Sequence, residues 1–204
     1  MGKLSDSTDE NIVHLIWGPP KAGKTVLASQ YPKPFFVCLE SGLMSVRGMM
    51  KKAGSNADFD VIMIDEAETT DEDFITMTSK LDAKKDAWTK TKAIMKAACE
   101  KLPADRTIVF DNLSRASEYL LSHIRKLVGR EKLEIQDWMT FTNEMMKLLE
   151  PMKLAKASIV LIAHEQYDKD DVTGDIVKSI LMPSKTKHRI PSIVSDFFYL
   201  NWIS

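Results

Sequence analysis

Short apolar runs, each closed by a polar or acidic residue, recur along the chain and set its frame. Ile12 to Trp17, Pro34 to Leu39, Asp60 to Ile64, Thr107 to Phe110 and Ser158 to Ala163 are rich in β-branched and aromatic residues. They show little alternation of apolar and polar positions, the mark of strands buried on both faces. Between them lie stretches with helical spacing. Val26 to Tyr31 reads as the opening turns of a helix stopped by Pro32. Residues 43–53 read as a short helix, and Met77, Leu81, Trp88, Met95 and Leu102 as one face of a long one. Leu113, Ala116, Leu120, Ile124 and Leu127 form a stripe ending near Gly129, and Trp138, Phe141, Met145, Leu148, Met152 and Ala155 form another. Pro151 must kink or restart that last helix, because it lacks an N–H and clashes with the preceding turn.

The segment Asp170-Asp171-Val172-Thr173-Gly174-Asp175 is a turn signal and predicts a hairpin between about 166 and 182. A final strand is expected from Asp196 to Trp202. Residues 1–11 read as a flexible lead-in and 12–204 as one domain. Buried strands alternating with amphipathic helices predict an α/β fold: a mainly parallel sheet, helices on both faces, and a C-terminal hairpin. Ligands of such sheets gather at the carboxyl ends of the strands, where Glu40, Asp65, Asp111 and His164 stand.

Composition narrows the classes. The 204 residues are 44% apolar and 28% charged with a formal net charge of −1, so no global basic field draws the chain to nucleic acid. Any such binding must come from a local patch. Cys38 and Cys99 belong to no metal-ligand spacing and read as reduced core thiols. The stretch from Ser5 to Glu10 is polar and acidic, unlike a secretory leader, and no run approaches the roughly 20 apolar residues of a membrane span. A cytoplasmic protein is expected. Lys80, Lys84, Lys85, Lys90, Lys92, Lys96 and Lys101 could attract phosphate, but interleaved Asp82, Asp86 and Glu100 favour a solvated helix face.

The most specific chemistry is Gly18-Pro19-Pro20-Lys21-Ala22-Gly23-Lys24-Thr25, which fits G-x-x-x-x-G-K-[ST], with Val26 opening the helix beyond. Strand, Gly-rich turn and helix are the context a phosphate-binding P-loop needs. The successive N–H groups of such a loop form a concave nest for phosphate oxygens. Lys24 would reach the β- and γ-phosphates of ATP, and the Thr25 hydroxyl would ligate Mg²⁺.

A second carboxylate must share the metal, and two strand ends offer one. Val61 to Ile64 followed by Asp65-Glu66 resembles the arrangement of AAA+ ATPases, in which the Glu polarises water. Thr107 to Phe110 followed by Asp111-Asn112-Leu113-Ser114 resembles that of RecA-type ATPases. In the RecA type the water-activating Glu follows the strand after the P-loop helix, which is where Glu40 lies. We assign Mg²⁺ to Asp111 and the general base to Glu40, with Asp65 and Glu66 as the alternative.

The order of the remaining motifs carries a resemblance. Asp137-Trp138 opens a helix; Ile159 to Ala163 leads into His164-Glu165; the Thr-Gly hairpin, Pro183, Lys187-His188-Arg189-Ile190-Pro191 and Asp196 to Leu200 follow. With the P-loop and Asp111-Asn112, this resembles the phage-encoded RecA-like nucleotide-binding proteins, over roughly residues 12–202. The resemblance implies a single RecA-like P-loop NTPase domain that hydrolyses ATP with Mg²⁺ in recombination or replication. It implies single-stranded DNA as a partner, assembly into a homo-oligomeric ring or filament, no membrane, and a host-cytoplasmic location. It further implies that His164 senses the γ-phosphate and that Lys187 and Arg189 act on a neighbouring subunit's nucleotide.

The hairpin region from Gln166 to Lys178 carries four Asp, fewer basic residues than such DNA-binding loops usually have. Two alternatives stand beside this reading. One is a P-loop kinase of a nucleotide or small metabolite, although the Arg-rich lid it would want is absent from the sequence. The other is a nucleotide-gated interaction protein with little turnover.

Overall fold

The computed structural model describes residues 11–40, 48, 60–64, 86–169, 173–183 and 185–201. The helix expected over 43–53 (Gly48 aside) and the Asp65-Glu66 pair lie outside these residues, as do Met77 and Leu81. Among the described residues seven strands form one sheet: β1 (Val13–Gly18), β2 (Pro34–Cys38), β3 (Asp60–Met63), β4 (Thr107–Asp111), β5 (Ser158–Lys169), β6 (Ile176–Ile180) and β7 (Asp196–Tyr199). Their order is β3-β2-β4-β5-β1-β7, with β6 paired antiparallel to the outer part of β5 and all other pairs parallel.

The continuous apolar runs are explained by two cores, one on each side of the sheet. Along β5, Ile159, Leu161 and Ala163 face the larger core while Val160 and Ile162 face the smaller. In β2, Phe35 and Val37 go one way and Phe36 and Cys38 the other. The smaller core is closed by α1 (Lys24–Ala28) through Ala28, with Val26 and Tyr31 packed at its margin. Among the described residues three long helices close the larger one: α2 (Ala87–Lys101), α3 (Leu113–Val128) and α4 (Ile135–Leu149). Each has its own start signal. Asp86 accepts the Thr89 N–H at 2.8 Å to cap α2, Asn112 accepts that of Arg115 at 2.7 Å to cap α3, and Asp137 takes the Glu134 N–H at 2.7 Å. Gly129 ends α3 in the left-handed conformation, φ 68°. At Glu150 and Pro151 the chain leaves α4 and continues as a 3-10 helix, Glu150–Leu154, which is the restart that Pro151 requires.

Several sequence expectations shift. The P-loop helix begins at Lys24 rather than Val26 and is only five residues long. β5 does not stop at Ala163 but runs to Lys169, because its outer half finds β6 as a partner. Leu127 is 70% exposed and Trp138 36% exposed, so both sit at the margin of their stripes instead of in the core. Within α2, Lys90 is buried, Lys92 pairs with Glu144 at 2.6 Å and Lys96 stands 3.9 Å from Glu100. The two ion-paired lysines spend part of their charge within the chain. Among the described residues no helix is long and apolar enough to cross a membrane.

Candidate nucleotide site

The parallel register brings the carboxyl ends of four strands to one edge. Gly18 of β1 lies opposite His164 of β5, and Asp111 of β4 lies opposite both Cys38 of β2 and Ile162 of β5. The loop from Gly18 to Thr25 spans this edge. Lys21 (φ 64°) and Gly23 (φ 87°) both adopt left-handed backbone, bending the loop into the shape an anion nest requires. Gly18 is demanded by something else. At φ 149° it packs so tightly on the residue that follows β7 that a Cβ there would lie 2.1 Å from the Leu200 carbonyl oxygen. Overpacking against backbone costs about 1–3 kcal/mol, and a side chain in that conformation adds about 1 kcal/mol or more. Gly18→Ala should therefore lose about 2–4 kcal/mol of stability. An unchanged thermal midpoint would show that Leu200 can move aside at no cost.

Lys24 is buried, and its ammonium donates to the carbonyls of Gly18 at 3.0 Å and Pro19 at 2.7 Å. Burial pulls its pKa below the ordinary lysine value, opposed by the negative charges of Asp111, Glu165 and Glu40. The adjacent Thr25 hydroxyl donates to Asp111 Oδ2 at 2.8 Å, across 86 positions of sequence. Asp111 is itself buried, and desolvation raises its pKa more than the Thr25 bond lowers it. A cation shared by Thr25 and Asp111 would offset that burial. Among the described residues no group of three or more His, Cys, Asp or Glu forms a protein-only metal cage. The Thr25–Asp111 pair fits a hard divalent ion that takes its other ligands from phosphate and water.

Glu40 follows β2 on the far side of Asp111. Its Oε2 is 3.5 Å from His164 Nε2, and that hydrogen bond is the main cause holding its pKa below the ordinary value. The same ring nitrogen is 3.1 Å from the Asn112 amide nitrogen. Because Asn112 Oδ1 is committed to capping α3, its NH₂ group is the end turned to the imidazole. Nε2 of His164 thus stands between a donor and an acceptor, and its Nδ1 is buried with no hydrogen-bond partner.

The structure brings Lys24, Thr25, Glu40, Asp111 and His164 together at one strand edge. Lys187 and Arg189 are elsewhere, on a 3-10 helix, Lys185–Ser192, packed beside the hairpin. There Lys187 pairs with Asp168 while Arg189 is exposed. Sequence reasoning missed several supporting groups. Asn112 reads in the sequence only as the residue after Asp111 and not as a partner of His164, and the Ser114 hydroxyl accepts the His164 N–H at 3.0 Å. The Tyr119 hydroxyl lies 3.2 Å from the carbonyls of both Leu39 and Ile64, tying the ends of β2 and β3 beside Glu40. Nothing local marks Tyr119 out, since it reads as one more residue of α3.

No curated protein matches the chain. Among solved structures it is similar to the crystal structure of the RadB recombinase, with a TM-score of 0.46 and 15% identity. That match covers 83% of this chain and 68% of the recombinase chain. A family model described as an AAA domain matches residues 10–203. With nearly its whole length covered by that model, the chain belongs to the AAA-domain family.

Proposed function

We propose that the protein is a Mg²⁺-dependent ATPase of RecA-like type whose nucleotide state is coupled to single-stranded DNA in phage recombination or replication. The observation that carries the ATPase reading is the division of labour between two strand ends. Asp111 on β4 is hydrogen-bonded to Thr25 of the P-loop at 2.8 Å, and a separate carboxylate, Glu40 after β2, is free of that bond and faces His164. This separation supports a metal role for Asp111 and a water-activating role for Glu40.

Residues 18–26 would cradle the phosphates, with Lys24 leaving the loop carbonyls for the β- and γ-phosphate oxygens. Thr25 and Asp111 would hold Mg²⁺, whose chemistry there is to offset charge on the phosphoryl oxygens. Glu40, ionised at neutral pH, would accept the proton of the attacking water. His164 would donate from its ring to a γ-phosphate oxygen and, when that oxygen leaves, turn back to Glu40. Arg189, exposed beyond the hairpin, would supply a cation to a neighbouring subunit's nucleotide within a ring or filament.

The hairpin offers some support for a nucleic-acid partner. Tyr167 is 63% exposed, and the Lys178 ammonium lies 5.6 Å from its ring and 4.9 Å from that of Tyr199. Exposed aromatic faces beside an ammonium suit unpaired bases and phosphates.

Phosphate release from ATP, measured with and without single-stranded DNA, tests the proposal. Mg²⁺-dependent release that rises with DNA is expected. A phosphorylated small molecule as the product would replace the ATPase by a kinase. Bound ATP with no release in either condition would leave a nucleotide-gated interaction protein.

A further inference from the structure

The outer half of β5 joins the nucleotide pocket to the basic turn. Strand alternation places His164, Gln166 and Asp168 on one face, with Asp168 about 13 Å beyond His164. Both oxygens of Asp168 are occupied. Oδ1 accepts from the Gln166 amide at 2.9 Å, and Oδ2 accepts from the Ser179 hydroxyl and from the Lys187 ammonium. Lys187 also reaches the Ser179 hydroxyl at 3.4 Å. Lys187 and, second, Ser179 hold the Asp168 carboxyl below its ordinary pKa, so that carboxyl is ionised at neutral pH.

Lys187 and Arg189 both lie on the 3-10 helix Lys185–Ser192. The inward side is defined by Thr186, bonded to Thr142 at 2.9 Å, and by Ile190, which is fully buried. Lys187 is partly covered by its pair with Asp168, whereas His188 and Arg189 are exposed.

We propose that Asp168 is a positioning residue: by holding Lys187 within its own chain it sets the 3-10 helix so that Arg189, and not Lys187, is presented to the neighbouring subunit. Lys187 is then a latch and not a second cation acting between subunits. This rests on the reading of Arg189 as a neighbour's cation.

The test measures steady-state ATP hydrolysis by the full chain over a range of protein concentrations. Asp168→Asn and Lys187→Asp should each lower kcat roughly ten- to a hundredfold while KM for ATP stays unchanged, because a displaced cation acts on the transition state and not on ATP binding. The charge-swapped double variant, Asp168→Lys with Lys187→Asp, restores the pair with its signs reversed and should recover most of the kcat. A swap as inactive as Lys187→Asp alone would mean that Lys187 acts beyond its own chain, and the latch is wrong. Normal turnover of Asp168→Asn would overturn it too.

Arg189→Ala separates the two levels. Loss of turnover that is partly restored by mixing with Lys24→Ala upholds the neighbour's cation independently of the latch. Turnover equal to that of the parent protein removes that cation, and the proposal for Asp168 falls with it.

Discussion

Lys24→Ala is expected to leave the protein folded and nearly unable to hold ATP. The wild-type ammonium is buried and donates to the Gly18 and Pro19 carbonyls at 3.0 and 2.7 Å, inside the loop that phosphate would enter. Burial has already pulled its pKa down, a sign of the solvation it gives up in the folded state. Removing it therefore relieves a desolvation cost in the free protein, while the loop keeps its own left-handed residues at Lys21 and Gly23. In the complex the loss is one-sided. Charge-assisted hydrogen bonds contribute about 1.5–3 kcal/mol each, so losing two to phosphate costs about 3 kcal/mol or more, roughly a hundredfold or more in Kd.

Ligand-linked stabilisation gives a second readout. ATP at a hundred times the wild-type Kd should stabilise the parent protein by about 2.7 kcal/mol and the variant by only about 0.4 kcal/mol. Isothermal titration and thermal unfolding with and without ATP measure both. A folded variant that binds ATP with parental affinity would sink the P-loop assignment.

Glu40→Gln should show the opposite pattern: ATP affinity within a few-fold of the parent and turnover lower by about 10²- to 10⁴-fold. The amide has the size of the carboxylate and can still meet His164 Nε2, 3.5 Å away, but it cannot accept the proton of a water. The wild-type pH profile adds a check of sign. His164 holds the Glu40 carboxyl below its ordinary pKa, so the base stays ionised until the pH falls below the usual glutamate range. The acid limb of kcat/KM should lie correspondingly low and be absent from the variant's residual activity. Single-turnover phosphate release at saturating ATP isolates the step. Near-parental turnover would transfer the base role to Glu66 and restore the alternative carrier of the chemistry, the strand ending at Asp65.

Much of this architecture was legible in the sequence because it is local. A strand buried on both faces needs a continuous apolar run, and those of β1, β2, β4 and β5 were found within a residue or two at their starts. Helix ends are set by groups a few positions apart, so the Gly129 stop and the break at Pro151 could be read directly. The loop between β1 and α1 was the most legible of all, since its motif is complete within eight consecutive positions. Spacing could not place what depends on a partner far along the chain. The end of β5 was set six residues too early because β6, which extends it, lies beyond a turn. Trp138 looked like a core residue because its period is right, yet it sits at the margin of α4 and is 36% exposed.

The sequence by itself determined that a P-loop would stand at the edge of an α/β sheet with acidic residues at the strand ends. Only the tertiary structure decided which of them meet. Strand order put β4 beside β2 and β5, bringing Asp111 to Thr25 and His164 to Glu40 over separations of 86 and 124 positions. It laid the Leu200 carbonyl against Gly18, which makes that glycine a packing requirement as well as a motif letter. It also turned Lys187 inward to Asp168 and left Arg189 outside. Local sequence governs backbone conformation and the face a side chain takes. The distance between two such faces is set by how the strands order themselves to bury both sides of the sheet.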